Sequence, residues 1–326
     1  MRILSLFDGM SCGMIALMDA GVRVSRYVAY EIDKYAIQTS THNFQSIEHM
    51  GDVFEADFTQ YAGFDYLIGG SPCTHWSKTK KNREVLASGV GWDLFAQFLR
   101  ALNEAKPKYF IYENNKSMSI EICETISKKF GFTPYCINSN TTSAQHRQRL
   151  YWVGVRNQDG TYRKVHVDNM DRCDTQVADI LISNGRQTYP INTVDGKSYA
   201  IKKTYYKSSL TNFINGPLHY PATGVAEFIG DSVTQDFIGK RNIHHVCDGA
   251  ITVDGKDISV GLADGYYIIR KLTVDECKAL QNIPDWYEFP VSDTRAIMML
   301  GNGWTVGVIT NLVKATQSTV CIKNER

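Results

Sequence analysis

Cys73 follows Gly69-Gly70-Ser71-Pro72 directly behind the short apolar run 64–68, a placement that suits a nucleophile. Glycine lets the chain turn tightly and proline stiffens it, so a thiol just beyond a strand end is presented to a ligand and not packed as a core residue. Lone cysteines are more often structural than reactive, so the reading depends on companions. Glu113 and Asn114 close the strand-like run 109–112, where a carboxylate shielded from water can stay protonated and serve as a general acid. Gln145, Arg147 and Arg149 alternate ahead of the run 150–153, which sends all three to one face of an extended segment.

A second group of residues suits a cofactor. The strand 2–6 runs into Phe7-Asp8-Gly9-Met10-Ser11-Cys12-Gly13 and then into an apolar helix over 14–20. Strand, glycine turn and helix is how a doubly wound sheet makes room for a nucleotide-like ligand, although a tight turn without a ligand explains this fragment alone equally well. A second strand, 27–30, ends in Glu31, about 20 residues after the glycines, where an acid can take both hydroxyls of a ribose. A third ends in Gly51-Asp52-Val53. Acids and a glycine turn on successive strand ends suggest an adenosine-bearing cofactor.

Taken in this order, the motifs resemble those of the cytosine carbon-5 DNA methyltransferase family, bacterial or phage type. They are the loop 7–13, Glu31, Asp52, Pro72-Cys73, Glu113-Asn114 and Gln145-x-Arg147-x-Arg149. Near the carboxyl end come Arg270-Lys-Leu-Thr-x-x-Glu276-Cys-x-x-Leu280-Gln281-x-Ile-Pro284 and Gly301-Asn302-Gly303-Trp304-Thr305-Val306. The resemblance covers roughly 1–156 and 268–320. Three departures stand out: Ser11-Cys12 before the last glycine of the first loop, Asn115 where valine is usual, and Gly303-Trp304-Thr305 in place of a more usual Ala-x-Pro.

The resemblance implies an α/β fold, a doubly wound Rossmann-like methyltransferase sheet with an inserted, smaller, mostly β target-recognition domain. It implies transfer of a methyl group from S-adenosylmethionine, leaving S-adenosylhomocysteine, to carbon 5 of a cytosine flipped out of duplex DNA, through thiolate addition at carbon 6. Cys73, behind Pro72, is then the nucleophile. Glu113 meets ring nitrogen 3 and the exocyclic amine, with Asn114 beside it. Arg149 reaches the ring carbonyl oxygen, and Arg147 supports the site. Phe7, Asp8, Gly9, Met10, Gly13, Glu31, Ile32, Asp52, Val53, Pro72, Leu94 and Asn302 match cofactor-pocket positions. Trp76, Ser77, Lys78, Lys80 and Lys81 match a mobile loop that closes over the minor groove, hinged at Gly89 and Gly91. Leu94 suits a core position nearly as well.

These residues need a frame, and its elements are legible. Strands alternate with helices near 34–43, 93–105 and 119–130 up to about residue 156, as in a parallel sheet covered on both faces. Short segments broken by Asp159-Gly160, Asn184-Gly185, Asp195-Gly196 and Asp264-Gly265 follow, which are hairpin signals. The expected division is 1–156 catalytic, 157–267 target recognition, and 268–326 a return to the catalytic domain with helices over 273–281 and 306–319.

At 326 residues and 43% hydrophobic content the chain can hold a substantial core. Its formal charge is only +1, so any charge that meets DNA is local. Lys78, Lys80, Lys81 and Arg83 form one basic run, and Lys197, Lys202, Lys203 and Lys207 lie among Tyr199, Tyr205 and Tyr206, a mixture suited to phosphate and sugar contact or to a solvated face. The 8 cysteines show no C-x-x-C pair, so neither a disulfide framework nor a zinc site is expected, and no metal is assigned. No signal-peptide core and no long apolar run are seen, so the expectation is a soluble protein without a membrane partner, in the cytoplasm of a bacterium or phage-infected cell. Double-stranded DNA is the expected partner of a monomer, with a cognate restriction endonuclease linked in function only. A tRNA cytosine methyltransferase and an inactive DNA-binding homologue are the alternatives. The first lacks its usual Cys-Phe-Thr signature here, and the second leaves the nucleophile, acid and arginine without a purpose. A nicotinamide dehydrogenase leaves Pro72-Cys73 and the arginines unexplained.

Overall fold

The computed structural model describes residues 1–78, 80–168, 170–214, 221–234, 242–253 and 255–321; the side chains of Cys73, Val320 and Cys321 lie outside the described set. In chain order the first strands and helices are β1 (Arg2–Leu6), α1 (Cys12–Asp19), β2 (Arg26–Tyr30), α2 (Lys34–Asn43), β3 (Ile47–His49), β4 (Tyr66–Gly69), α3 (Val90–Ala105), β5 (Tyr109–Asn115), α4 (Ile120–Phe130), β6 (Tyr135–Asn138), β7 (Gln145–His146), β8 (Gln148–Arg156) and β9 (Tyr162–Lys164). Among the described residues they build an 8-stranded sheet in the order β3-β2-β1-β4-β5-β8-β6, with β9 paired to β8. The first five strands are parallel, and β8 runs antiparallel to both β5 and β6.

Side chains alternate across each strand, and both faces are apolar. Ile3 joins a core with Ile15 and Leu17 of α1 and, from the last helix, Ile309 and Leu312. Leu4 and Leu6 join the opposite core with Phe95 and Phe98 of α3 and Ile122 and Ile126 of α4. Helix starts follow local chemistry. Asp33 caps α2 by accepting from the Tyr35 and Ala36 N–H groups, and Ser119 caps α4 through Ile122. Helix α3 begins at Val90, three residues before its sequence-based start, because the Glu84 carboxylate accepts from the Gly91 N–H at 3.0 Å. Gly91 thus sits in a helical turn, whereas Gly89, at φ +85°, keeps the backbone freedom expected of a hinge.

The next elements are β10 (Thr188–Ile191), β11 (Ser198–Tyr199), α5 (Leu210–Ile214), β12 (Gly224–Gly230), β13 (Ile243–Cys247), β14 (Ala250–Val253), β15 (Lys256–Ser259) and β16 (Gly265–Arg270). Six of these strands form an antiparallel sheet, β10-β12-β16-β13-β14-β15. Strand β9 still belongs to the first sheet beyond residue 156, and β16 ends at Arg270. A short parallel pair, β7 with β11, joins Gln145 to Ser198.

Helices α6 (Val274–Leu280), α7 (Asp293–Asn302) and α8 (Val306–Cys321) complete the chain. A capping box of Thr273 and Glu276 starts α6. The same Glu276 carboxylate takes two bonds from Arg270, at 2.8 and 2.9 Å, and Arg270 also reaches Glu227 on β12. The stretch Asp293–Thr319 is long and apolar enough to span a bilayer by length and composition, contrary to the sequence expectation, but 67% of its most apolar window is buried within the protein. It is a core helix pair, broken at Gly303.

Candidate active site

Parallel register sets the site. Leu6 pairs with Tyr30 and with Gly69, and Gly69 pairs with Tyr112. The residues one step further on, Phe7, Glu31, Gly70 and Glu113, therefore line up along the carboxyl edge of the sheet. The strand order reverses between β1 and β4, the switch point at which open α/β sheets leave a crevice. That crevice is lined by Phe7, Asp8, Gly9, Met10, Glu31, Pro72, Glu113, Arg147, Arg149 and Asn302, together with Ser5, Cys12, Ser71, Thr74, Gly303 and Trp304.

On the cofactor side, Glu31 is held by three backbone donors: Gly9 N–H to one carboxylate oxygen, Ile32 and Asp33 N–H to the other, each at 2.8 Å. Burial raises the Glu31 pKa, and these N–H groups oppose it. A carboxylate has about four acceptor sites, so capacity remains for ribose hydroxyls. Asp8 accepts from Ser5 and Ser11 at 2.5 Å and from Tyr27 at 2.7 Å; burial raises its pKa against these bonds. Tyr287 donates to the Met10 carbonyl at 2.5 Å, tying the loop to the carboxyl-terminal segment. On the sequence expectation of an S-adenosylmethionine pocket, replacing Glu31 with alanine should weaken binding of that cofactor by about tenfold to a hundredfold, through lost charged hydrogen bonds and a loosened Gly9 loop. Calorimetry on the variant measures this; binary DNA affinity is the control and should hold.

Not every sequence-derived cofactor residue lines the crevice. Gly13 faces the sheet: a Cβ there would meet Ile68 at 2.5 Å and the Tyr27 hydroxyl at 3.0 Å, so this glycine serves close helix–strand packing. Ile32 is 73% exposed and contributes its N–H to Glu31. Asp52 accepts from Phe54 N–H as a local cap, and Val53 is buried, its carbonyl bonded by Arg100. Leu94 is half-buried on α3 and outside the lining.

On the chemical side, the backbone of Cys73 opens a short 3-10 turn, Cys73–His75; its side chain lies outside the described residues. The turn before it is anchored. Asn114, fully buried, donates to the Ser71 carbonyl at 3.1 Å, and the Ser71 and Tyr112 hydroxyls share a bond of 2.7 Å. Pro72 is exposed at the mouth. Cys12, which does line the crevice, is buried, and burial pushes its thiol up to about 12, outside the range of a nucleophile at neutral pH.

Glu113 is gripped at both oxygens. Arg149, two residues off register on β8, brings its Nε to Oε1 at 3.1 Å, and the Trp304 indole N–H donates to Oε2 at 3.0 Å. Burial raises the Glu113 pKa; Arg149, Arg147 and the Trp304 bond pull against it. Arg147 itself donates to the carbonyls of Ile201, Gly301 and Gly303 at 2.9, 3.0 and 2.8 Å. The Gln145 amide donates through Nε2 to the Leu280 carbonyl and accepts at Oε1 from the Ile201 N–H. These two residues thus fasten the segment near 201 and the end of α7 to the start of β8 and the first sheet. Trp304 was missed as a site residue, and its only sequence signal was the departure from Ala-x-Pro.

The DNA-side residues divide. Lys78, Lys80, Lys81, Lys203 and Lys207 are exposed, while Ser77 and Lys202 are half-buried. Lys202 and Lys207 line one shallow cavity, with Lys207 over the Tyr206 ring. Trp76 is 0% exposed and packs in the core beside α3, which corrects the expectation that it meets DNA. Lys197 is also buried, donating to the Ser143, Cys173 and Thr175 carbonyls, and is not part of a basic surface. Cys247, Asp248 and Asp264 bring ligand atoms within 4.8 Å of one another, but all are exposed and make no four-ligand zinc set.

A doubly wound sheet with its crevice at the switch point and an antiparallel sheet alongside defines a Rossmann-like methyltransferase fold. S. pombe Dnmt2 methyltransferase shares that fold, with a TM-score of 0.61 at 15% identity over 98% of this chain and 99% of its own. Entamoeba histolytica methyltransferase EhMeth does so too, at 0.61 and 12% identity over 98% of each chain. The chain belongs to the C-5 cytosine-specific DNA methylase family, whose model matches residues 1–318. The type II methyltransferase M.NlaX of Neisseria lactamica is 24% identical over 335 residues, 100% of this chain and 99% of its own length. The orphan methyltransferase M.SPRI of Bacillus phage SPR is 32% identical over 168 residues, 48% of this chain. The aligned part spans only 38% of that phage relative, and 33% of the related enzyme of Bacillus phage rho11s.

Proposed function

We propose that this protein methylates carbon 5 of a cytosine flipped out of duplex DNA, with S-adenosylmethionine as methyl donor. The observation that carries the reading is Glu113, a half-buried carboxyl held by Arg149 and Trp304 in the same crevice as Pro72 and Glu31. Glu31 and the 7–10 loop fit a nucleoside, because a carboxylate at a strand tip suits a ribose diol. Bound there, S-adenosylmethionine supplies an electrophilic methyl group. Carbon 5 of cytosine is a poor nucleophile, and thiolate addition to carbon 6 activates it by forming an S–C6 bond. Glu113, protonated, donates to ring nitrogen 3 as negative charge builds on the ring, and Arg149 meets the ring carbonyl oxygen. Carbon 5 takes the methyl as the sulfonium S–CH3 bond breaks, leaving S-adenosylhomocysteine; the carbon 5 proton then passes to water as the C5–C6 double bond reforms, and the S–C6 electron pair returns to sulfur, restoring the thiolate. A thiol inside a stacked duplex cannot reach the ring face, so the base must be extruded at a cost of roughly a few kcal/mol.

Transfer of labelled methyl from S-adenosylmethionine to duplex DNA, with tRNA as the parallel substrate, tests the reading. Label on DNA cytosine carbon 5 supports it; label on tRNA alone, or none, refutes it. The domains are assigned on the same basis: the doubly wound sheet, β9 included, carries catalysis, and the remainder of the region 157–267 reads the target. Changing Lys202 and Lys203 together to glutamine is expected to flatten the salt dependence of DNA binding by a slope of up to about 1.8, with cofactor affinity unchanged. A salt titration of binding measures it, and an unchanged slope would leave these lysines as a solvated face.

A further inference from the structure

We infer that Trp304 is a positioning residue for the acid of the reaction: its indole N–H holds the Glu113 carboxyl in the orientation that the cytosine ring requires. The inference rests on the proposed methyl transfer and adds a residue to it. Trp304 is not loose in the crevice. On one side Gly303 donates its N–H to the Met299 carbonyl at 2.7 Å and receives Arg147 at 2.8 Å. On the other, the Thr305 hydroxyl donates to Gln281 at 2.8 Å, and the Val306 N–H reaches the Gln281 carbonyl at 2.9 Å. The ring has a slot cut for it. A Cβ on Gly70 would lie 3.3 Å from the indole nitrogen and 2.8 Å from Glu113 Oε2, and one on Gly13 would lie 3.6 Å from the ring. The turn that carries Pro72-Cys73, the acid and the indole therefore meet at one point.

The choice of donor matters. Indole has a single N–H and no acceptor, so at this distance it can only donate to Oε2. The other groups facing Glu113 are the cations Arg149 and Arg147, and Tyr151 on β8. A third cation would favour the ionised carboxylate further. A neutral donor orients the carboxyl while leaving burial free to favour the protonated form that the reaction uses.

The test is Trp304→Phe, which keeps a flat ring and removes the N–H. Single-turnover methyl transfer is expected to slow by about tenfold near neutral pH, because the acid loses its fixed orientation. S-adenosylmethionine affinity, measured by calorimetry, should stay near the wild-type value. The alkaline limb of the rate profile should move to higher pH, since loss of a donor to the carboxylate raises the Glu113 pKa. In a Glu113→Ala background, where there is no carboxyl to orient, the same change should slow the reaction by less than about twofold. If Trp304 were only a wall of the pocket, cofactor affinity would fall, the limb would stay, and the two changes would add; that result overturns the inference. Thermal melts control for folding, and should Glu113→Ala fail to fold, the alkaline limb and the cofactor affinity of Trp304→Phe, with Glu113 in place, decide between the two outcomes. A wild type that transfers no methyl to any cytosine substrate sinks the functional reading and the inference together. An active wild type matched by Trp304→Phe in rate and pH profile sinks the inference alone.

Discussion

Changing Cys73 to serine is expected to reduce methyl transfer by about a thousandfold or more while duplex binding survives. A serine hydroxyl is nearly the size of a thiol but is a far weaker nucleophile, and free thiols ionise near a pKa of about 8.5, within reach of neutral pH. The surroundings are built to present this position: Asn114 and Tyr112 hold Ser71, and Pro72 stiffens the last step of the turn. With 5-fluorocytosine at the target, wild-type protein should accumulate a covalent adduct on denaturing gels, because the fluorine at carbon 5 cannot leave as a proton does. The serine variant should give none. Full activity in that variant, or no adduct with the wild type, would remove Cys73 from the mechanism.

Glu113→Gln is expected to lower turnover by about a hundredfold to a thousandfold with little change in S-adenosylmethionine affinity. The amide keeps the shape and can still accept from Trp304, but it has no acidic proton to share with the ring. Burial raises the Glu113 pKa, so the protonated acid persists to higher pH than an exposed glutamate, and the wild-type rate should fall as pH rises through that raised value. The glutamine variant should lack that limb. Turnover as a function of pH and calorimetry for the cofactor separate the possibilities. Loss of cofactor affinity equal to the loss of turnover would assign Glu113 to the cofactor pocket instead.

Much of the frame was legible because its signals are local. Strands β1, β2 and β4 and the first four residues of β5 (109–112) are short apolar runs, and each run is followed at once by a residue of distinct chemistry: Phe7, Glu31, Gly70, Glu113. Once strands are parallel and level, residues that follow their ends must become neighbours, so a pattern readable one strand at a time maps onto one edge of the sheet. Helix starts were legible for the same reason, since a cap such as Asp33, Ser119 or Thr273 acts within three residues.

Irregular segments were a different matter. Trp76 and Lys197 have the residue types of a nucleic-acid surface, and their own neighbours in sequence do not reveal that one is sealed beside α3 and the other spends its ammonium on three carbonyls. Gly13 reads as part of a ligand loop, yet its constraint comes from Ile68 and Tyr27 on two other strands. Trp304 reaches a carboxyl 191 residues away. By itself the sequence determined the order of the motifs, the strand tips and the residue types available for chemistry, because these depend on spacing along the chain. Which side chains face the crevice, which fasten one segment to another, and what grips Glu113 were decided only by tertiary packing, because burial and donor–acceptor geometry arise between segments that no local pattern joins.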